Sequence, residues 1–291
     1  MRKNLERFSR WMKLQHYSPT TIKEYTRELD KFYDFMESES LELEELQLVD
    51  IEDYVFSKDV NERTKNRTLS SIKSFYNYLH SRGIVANNPA KGVKSIKLRR
   101  KNPVFLQEDE YQLLMQTISE QATGFVGLRD KTIVSLLLGT GMRVSEITSM
   151  QMGCEQKDRT GRYSLEVMRK GQEMDYVYIN QKISVLFDGY LHERRARQVD
   201  SDYIFLTYRQ KPMDRTAVYR MVKKYLEMSG LDKKKMGPHV LRHTFATALM
   251  SKDVSLYKIK ELMNHKSLST TQNYLHVMEE DLKDVVEKID F

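Results

Sequence analysis

The sequence predicts a mainly α-helical fold with a small antiparallel β-sheet, split into an all-helical first domain and a larger α+β second domain. Three observations predict it. Apolar residues recur at helical spacing through the N-terminal third, Asn87-Asn88-Pro89 and a basic stretch then interrupt that pattern, and one later segment, Tyr163 to Ile179, switches to a period of two. At 291 residues the chain is comfortable as two domains, each burying its own core.

A short helix is expected near Asn4 to Leu14. Ser18-Pro19-Thr20 then supplies an N-cap with proline at the first helical position, and Ile22, Tyr25, Leu29, Phe32, Tyr33 and Met36 follow on one face, giving a helix over 19–37. A third short helix is expected near Leu48 to Ser57. The next runs from about Thr64 to Ser81, with Leu69, Ile72, Phe75, Tyr76 and Leu79 inward and Gly83 as a stop. These make a first domain of residues 1–90. Residues 91–103, basic, poor in apolar periodicity and ending at Pro103, read as an interdomain linker.

The second domain, 104–291, opens with helices near Gln107 to Gln121 and Leu128 to Leu138. Tyr163, Leu165 and Val167 then alternate with Ser164, Glu166 and Met168, and Tyr176-Val177-Tyr178-Ile179 follows a glycine-containing turn, the signature of a hairpin. Helices are expected again near Lys182 to Gln198, Arg215 to Ser229, Val240 to Ser251, Ser255 to Met263, Thr270 to Val277 and Asp281 to Ile289.

Charge is unevenly placed. The total of +7, from 48 basic against 41 acidic residues, is a mild excess. Yet Arg63 to Gln107 holds eleven Lys and Arg and no acid, while Glu37 to Glu62 holds ten acids against Lys58 alone. Such segregation reads as a phosphate-facing stripe, with Arg63, Lys65, Arg67, Lys73, Lys97, Arg99, Arg100 and Lys101 as candidate contacts. A solvated basic linker is the plainer alternative. The single Cys154 excludes an internal disulfide, and no apolar run approaches a membrane span. Met1 to Gln15 is too charged for a signal peptide, so a cytoplasmic protein is expected.

Four stretches carry candidate chemistry: Gly139-Thr140-Gly141-Met142-Arg143-Val144-Ser145-Glu146, Arg169-Lys170-Gly171, His239-Val240-Leu241-Arg242-His243-Thr244-Phe245, and Asn264-His265 through to Tyr274. Gly139 and Gly141 do not form a nucleotide-binding loop, because the G-x-x-x-x-G-K-[ST] pattern is absent. They allow a tight turn before Arg143. His239 and His243 have the spacing of a zinc-binding helix, but no glutamate lies between them and no cysteine cluster completes a site.

In order and spacing the four stretches resemble the tyrosine recombinase, or phage integrase, family, across the whole second domain; the helical first domain resembles that family's core-binding domain. The resemblance implies Tyr274 as nucleophile forming a 3′-phosphotyrosine, Arg143 and Arg242 as a clamp on the scissile phosphate, and His239 as general base. It further implies Lys170 as general acid for the 5′-oxygen, His265 as a hydrogen-bond donor to the phosphate, and a structural role for His243. Glu146 becomes a partner orienting Arg143. Such chemistry suits these groups: a phenol attacks, guanidinium forks match phosphate oxygens at every relevant pH, and no metal or nucleotide cofactor is expected. Asn264 departs from the pattern by standing where glycine usually precedes the second histidine.

The implied partner is double-stranded DNA with inverted core half-sites, bound by a homotetramer or by a heterotetramer with a paralogous recombinase. The family's exchange of a C-terminal segment fits Leu282, Val285, Val286 and Ile289, although a helix packed on its own domain fits nearly as well. No additional N-terminal arm-binding domain is expected, which resembles compact Xer-type recombinases and transposon resolvases. Integration, excision and dimer or cointegrate resolution all stay open. Two alternatives remain: an inactive DNA-binding regulator on the same scaffold, and a type IB-like topoisomerase.

Overall fold

The structure, a computed structural model, describes residues 2–98, 103–169, 173–233, 236–252 and 254–264. Its chain separates into two units, Met1–Arg100 and Lys101–Phe291.

In the first unit α1 (Arg2–Leu14), α2 (Pro19–Ser38), α3 (Leu48–Phe56) and α4 (Glu62–Ser81) precede a 3-10 turn at Pro89–Lys91. Ser18 Oγ accepts the Thr21 N–H at 3.1 Å and caps α2, and Asn61 Oδ1 accepts the Thr64 N–H at 3.1 Å and caps α4. Gly83, at φ +66°, ends α4 in a left-handed turn, with its N–H on the His80 carbonyl and the Ile84 N–H on that of Leu79. The inward stripes of these helices meet in an aromatic core of Phe8, Phe32, Tyr33, Phe75 and Tyr76, all fully buried.

The stretch expected as a linker from residue 91 begins inside this unit. Val93 is 1% exposed and belongs to its core. Asn66 on α4 clasps Ile96 with both halves of its amide: Nδ2 donates to the Ile96 carbonyl and Oδ1 accepts the Ile96 N–H, each at 2.8 Å. An apolar residue between Lys91 and Lys94 and one amide on α4 thus outweigh the local charge, and the division between units falls after Arg100.

The second unit contains α5 (Glu108–Gln121), α6 (Gly124–Thr140), α7 (Val144–Ser149), β1 (Glu155–Lys157), β2 (Tyr163–Met168), β3 (Met174–Tyr178), α8 (Gln181–Ala196), α9 (Arg215–Met228), α10 (Pro238–Met250) and α11 (Leu256–Leu262). Helix α6 is buried on most sides, its Arg129 and Asp130 included, and packs against α5, α8 and α10. The strands form an antiparallel sheet in the order β1-β2-β3, with Leu165 opposite Val177. Alternation puts Tyr163, Leu165, Val167 and Val177 on the buried face and leaves Met168, Met174, Tyr176 and Tyr178 exposed. Two elements were not foreseen. Helix α7 has six residues and β1 three, too few for either period to register. The helices expected over 270–277 and 281–289 lie outside the described residues. Among the described residues no helix is long and apolar enough to cross a membrane.

Candidate active site

Gly141 shapes the site. It ends α6 in the left-handed conformation at φ +64°, and a Cβ there would clash with a ring carbon of Phe245 on α10. The turn delivers Arg143 to the N-cap of α7 in an extended conformation. Glu146, one turn into α7 and 2% exposed, accepts the Arg143 N–H at 2.7 Å through Oε2 and Arg143 Nη1 at 3.0 Å through Oε1. The same carboxylate therefore closes the helix end and aims the guanidinium.

Arg242 lies one turn into α10 and is 7% exposed. Its Nη1 donates to the Gly141 carbonyl, and its Nη2 to the Met263 carbonyl at 2.6 Å. Arg143 Nη2 donates to the next carbonyl along, Asn264, at 3.1 Å. Two guanidiniums 99 positions apart in sequence are thus gathered on consecutive carbonyls just past α11. Asn264 holds this bend at φ +46°, a conformation asparagine tolerates better than most residues and glycine better still. Its side chain adds a bond that glycine lacks, Nδ2 to Asp175 Oδ2 at 3.4 Å.

Arg169 and Asp175 join the cluster although the sequence reading quoted Arg169 without giving it a role and passed over Asp175. Arg169 is 6% exposed, with Nη1 on Glu146 Oε1 at 3.1 Å and Nε on Asp175 Oδ2 at 3.1 Å. Partial burial pushes the Asp175 carboxyl up, but the Tyr176 N–H, Arg169 and Asn264 together hold it below its usual value. A signal was available. Residues 163, 165, 167 and 169 share the inward register, and a charge on that face calls for a buried partner.

His239 occupies the first turn of α10, which starts at Pro238. It is exposed, and with His243, Tyr219 and Lys223 it lines a cleft of about 470 Å³. Lys170, His265 and Tyr274 lie outside the described residues, as do Arg99, Arg100 and Lys101. Of the other candidate phosphate contacts, Arg63 and Lys97 are exposed and Lys73 is half-buried. Lys65 and Arg67 are engaged within the first unit. Lys65 Nζ donates to the Phe56 carbonyl at 2.6 Å, capping α3, and Arg67 lies 3.9 Å from Glu24. Two residues apart on the helix, they leave α4 on different sides, Lys65 toward the end of α3 and Arg67 toward Glu24 on α2, which a count of charges along the sequence does not reveal.

Known proteins resemble this chain along most of its length. Residues 104–281 match the Phage integrase family and residues 5–83 match the Phage integrase, N-terminal SAM-like domain. Tyrosine recombinase XerC of Leptospira interrogans is 31% identical over 288 residues, spanning 97% of this chain and 91% of that protein. Tyrosine recombinase XerC of Thermodesulfovibrio yellowstonii is 34% identical over 280 residues, spanning 94% and 90%. The post-cleavage complex of the XerH site-specific recombinase bound to a palindromic difH substrate superposes with a TM-score of 0.79 at 21% identity, over 92% of this chain and 79% of that one. Fold and matches together define a site-specific DNA recombinase. The chain belongs to the phage integrase family, among the Xer-like tyrosine recombinases.

Proposed function

We propose that this chain cuts and rejoins DNA at a specific core site through a 3′-phosphotyrosine on Tyr274, with neither metal nor nucleotide fuel. The observation that carries this reading is the convergence of Arg143 and Arg242 on the Met263 and Asn264 carbonyls, immediately before His265 in the chain. Two permanent cations held there complement the negative charge that builds on a scissile phosphate as it reacts, the task a metal ion performs in many phosphoryl-transfer enzymes.

His239 takes the proton from the Tyr274 hydroxyl, whose free pKa near 10 would otherwise keep it protonated. The phenolate oxygen bonds to phosphorus while the bond to the 5′-oxygen breaks. Lys170 gives that oxygen its proton, and His265 donates to a non-bridging oxygen. Because the phosphotyrosine conserves the ester bond, rejoining by the reverse steps needs no ATP.

The partner is duplex DNA with inverted core half-sites, bound by four protomers of this chain or by two of it and two of a paralogue. Arg63, Lys73, Lys97, Arg99, Arg100 and Lys101 supply backbone contacts, with Lys65 and Arg67 secondary to their contacts within the first unit. Such binding weakens steeply with salt. The protein acts in the cytoplasm.

A library of nicked random-sequence duplexes tests the reading. Wild type should trap one sequence class covalently, in EDTA and without nucleotide, and Tyr274→Phe should trap none while binding DNA normally. Trapping at many unrelated sequences would instead indicate a topoisomerase, and no trapping by wild type a pure binder.

A further inference from the structure

We infer that Arg169 is a positioning residue for strand cleavage, fixing the base of the hairpin that carries Lys170 to the turn that carries Arg143 and to the residue before His265. The inference rests on the proposed role of Lys170 as general acid.

Burying a guanidinium is costly unless its donors are met, and Arg169 meets its cost with two carboxylates approached in different directions. Each carboxylate is shared. Glu146 also holds both the backbone and the side chain of Arg143. Asp175 also receives the Asn264 amide, and Asn264 offers its carbonyl to Arg143. The Arg169 N–H further donates to the Glu173 carbonyl at 2.8 Å, closing the hairpin at the residue adjacent to Lys170. Arg169 therefore binds Glu146 directly and, through Asp175 on its own hairpin, is linked to Asn264; its Nε and Nη1 leave the planar fork at different positions, whereas the three N–H groups of a lysine would all radiate from one nitrogen. A purely stabilising ion pair would not need partners that themselves grip the phosphate clamp.

The consequence is chemical. When the phosphorus to O5′ bond breaks, its electron pair stays on O5′, and that alkoxide takes the Lys170 proton. If sulfur replaces the bridging oxygen, the pair leaves on a thiolate. That leaving group is stable unprotonated, since thiol pKa values lie near 8.5. A defect confined to delivery of the Lys170 proton is therefore masked by sulfur.

The experiment compares full-length wild type, Arg169→Ala, Asp175→Asn and Lys170→Ala in single-turnover cleavage of a nicked duplex bearing the trapped core sequence, with oxygen or sulfur at the bridging 5′ position. Arg169→Ala should bind DNA like wild type, cut the oxygen substrate about tenfold to a hundredfold more slowly, and regain most of that loss on sulfur. Lys170→Ala should behave likewise. Asp175→Asn keeps the shape of a side chain that is 44% exposed, and it decides the matter should Arg169→Ala not fold; about tenfold slowing, rescued by sulfur, is expected. Normal cleavage by the variants, or equal slowing on both substrates while Lys170→Ala is rescued, overturns the inference alone. Equal slowing of Lys170→Ala on both substrates refutes the general-acid assignment and the inference with it.

Discussion

Arg242 on α10 donates to the carbonyl of Gly141, two residues before Arg143, so both guanidiniums are built on a single turn. That turn requires glycine on two counts, its φ of +64° and the Phe245 ring beside it. Gly141→Ala should lower stability by about 1–3 kcal/mol in urea titration. Displacing Arg143 should also slow covalent trapping about a hundredfold, with DNA affinity little changed. Trapping at the wild-type rate would show that the turn does not set the clamp.

The Asn66 clasp makes a separate prediction. Asn66→Ala removes two hydrogen bonds that together contribute about 1–3 kcal/mol, and it releases the segment that bears Lys94 and Lys97. Equilibrium binding across a salt series should show a several-fold loss of affinity, while the cleavage rate at saturating protein stays put. Unchanged binding would mean the pinned segment contributes no phosphate contact.

Acid sensitivity of the first unit should trace to Glu28. The side chain is 5% exposed, and burial alone would raise its carboxyl. The Thr68 hydroxyl at 3.1 Å, Lys31, Arg27 and Lys58 reverse this and hold it below 4.5. Lys58 is a minor support at 4.0 Å, and burial lowers its own ammonium more than Glu28 raises it. A carboxyl with a lowered folded pKa contributes stability that is complete above the unfolded value and lost as pH falls through the folded one. The advantage of wild type over Glu28→Gln in urea should therefore hold at pH 6 and shrink below about 4.5. Trp11, the sole tryptophan, packs with Phe8 and Tyr78 and reports on this unit by fluorescence. A pH-independent difference between the two proteins would remove Glu28 from the account.

Cys154 should be chemically quiet. Burial and then the nearby Glu155 and Glu166 push its thiol up to about 12. Iodoacetamide at pH 8 should leave the folded protein unlabelled and modify it once urea unfolds the chain. Labelling of the native protein at the unfolded rate would refute this.

The helices legible in the sequence are those whose apolar stripe spans several turns and whose ends carry caps, such as α2 behind Ser18 and α4 behind Asn61. The hairpin was legible because β2 alternates cleanly. What escaped depends on how separate elements meet, or on a register not carried through to its end. Arg169 beside Lys170 looks like one more cation at a turn unless the inward register of β2 is carried on to it; the hairpin then supplies Asp175, and only the fold brings Glu146. Lys65 looks like part of a basic stripe until α3 ends against it. Val93, lone and apolar among lysines, carries too little signal to mark the end of a core. Arg143 and Arg242 were recognisable by spacing, whereas their meeting on the carbonyls of Met263 and Asn264 is a product of packing.

The Asn66 clasp also determines where the chain can be lengthened. A glycine-serine insertion between residues 92 and 95 would pull Val93 from its core and unseat Ile96, whereas the same insertion between Arg100 and Lys101 falls at the division between the units and disturbs neither core. An insertion there changes the chain length between the two units without entering either core, while splitting the Arg99-Arg100-Lys101 run proposed to contact DNA.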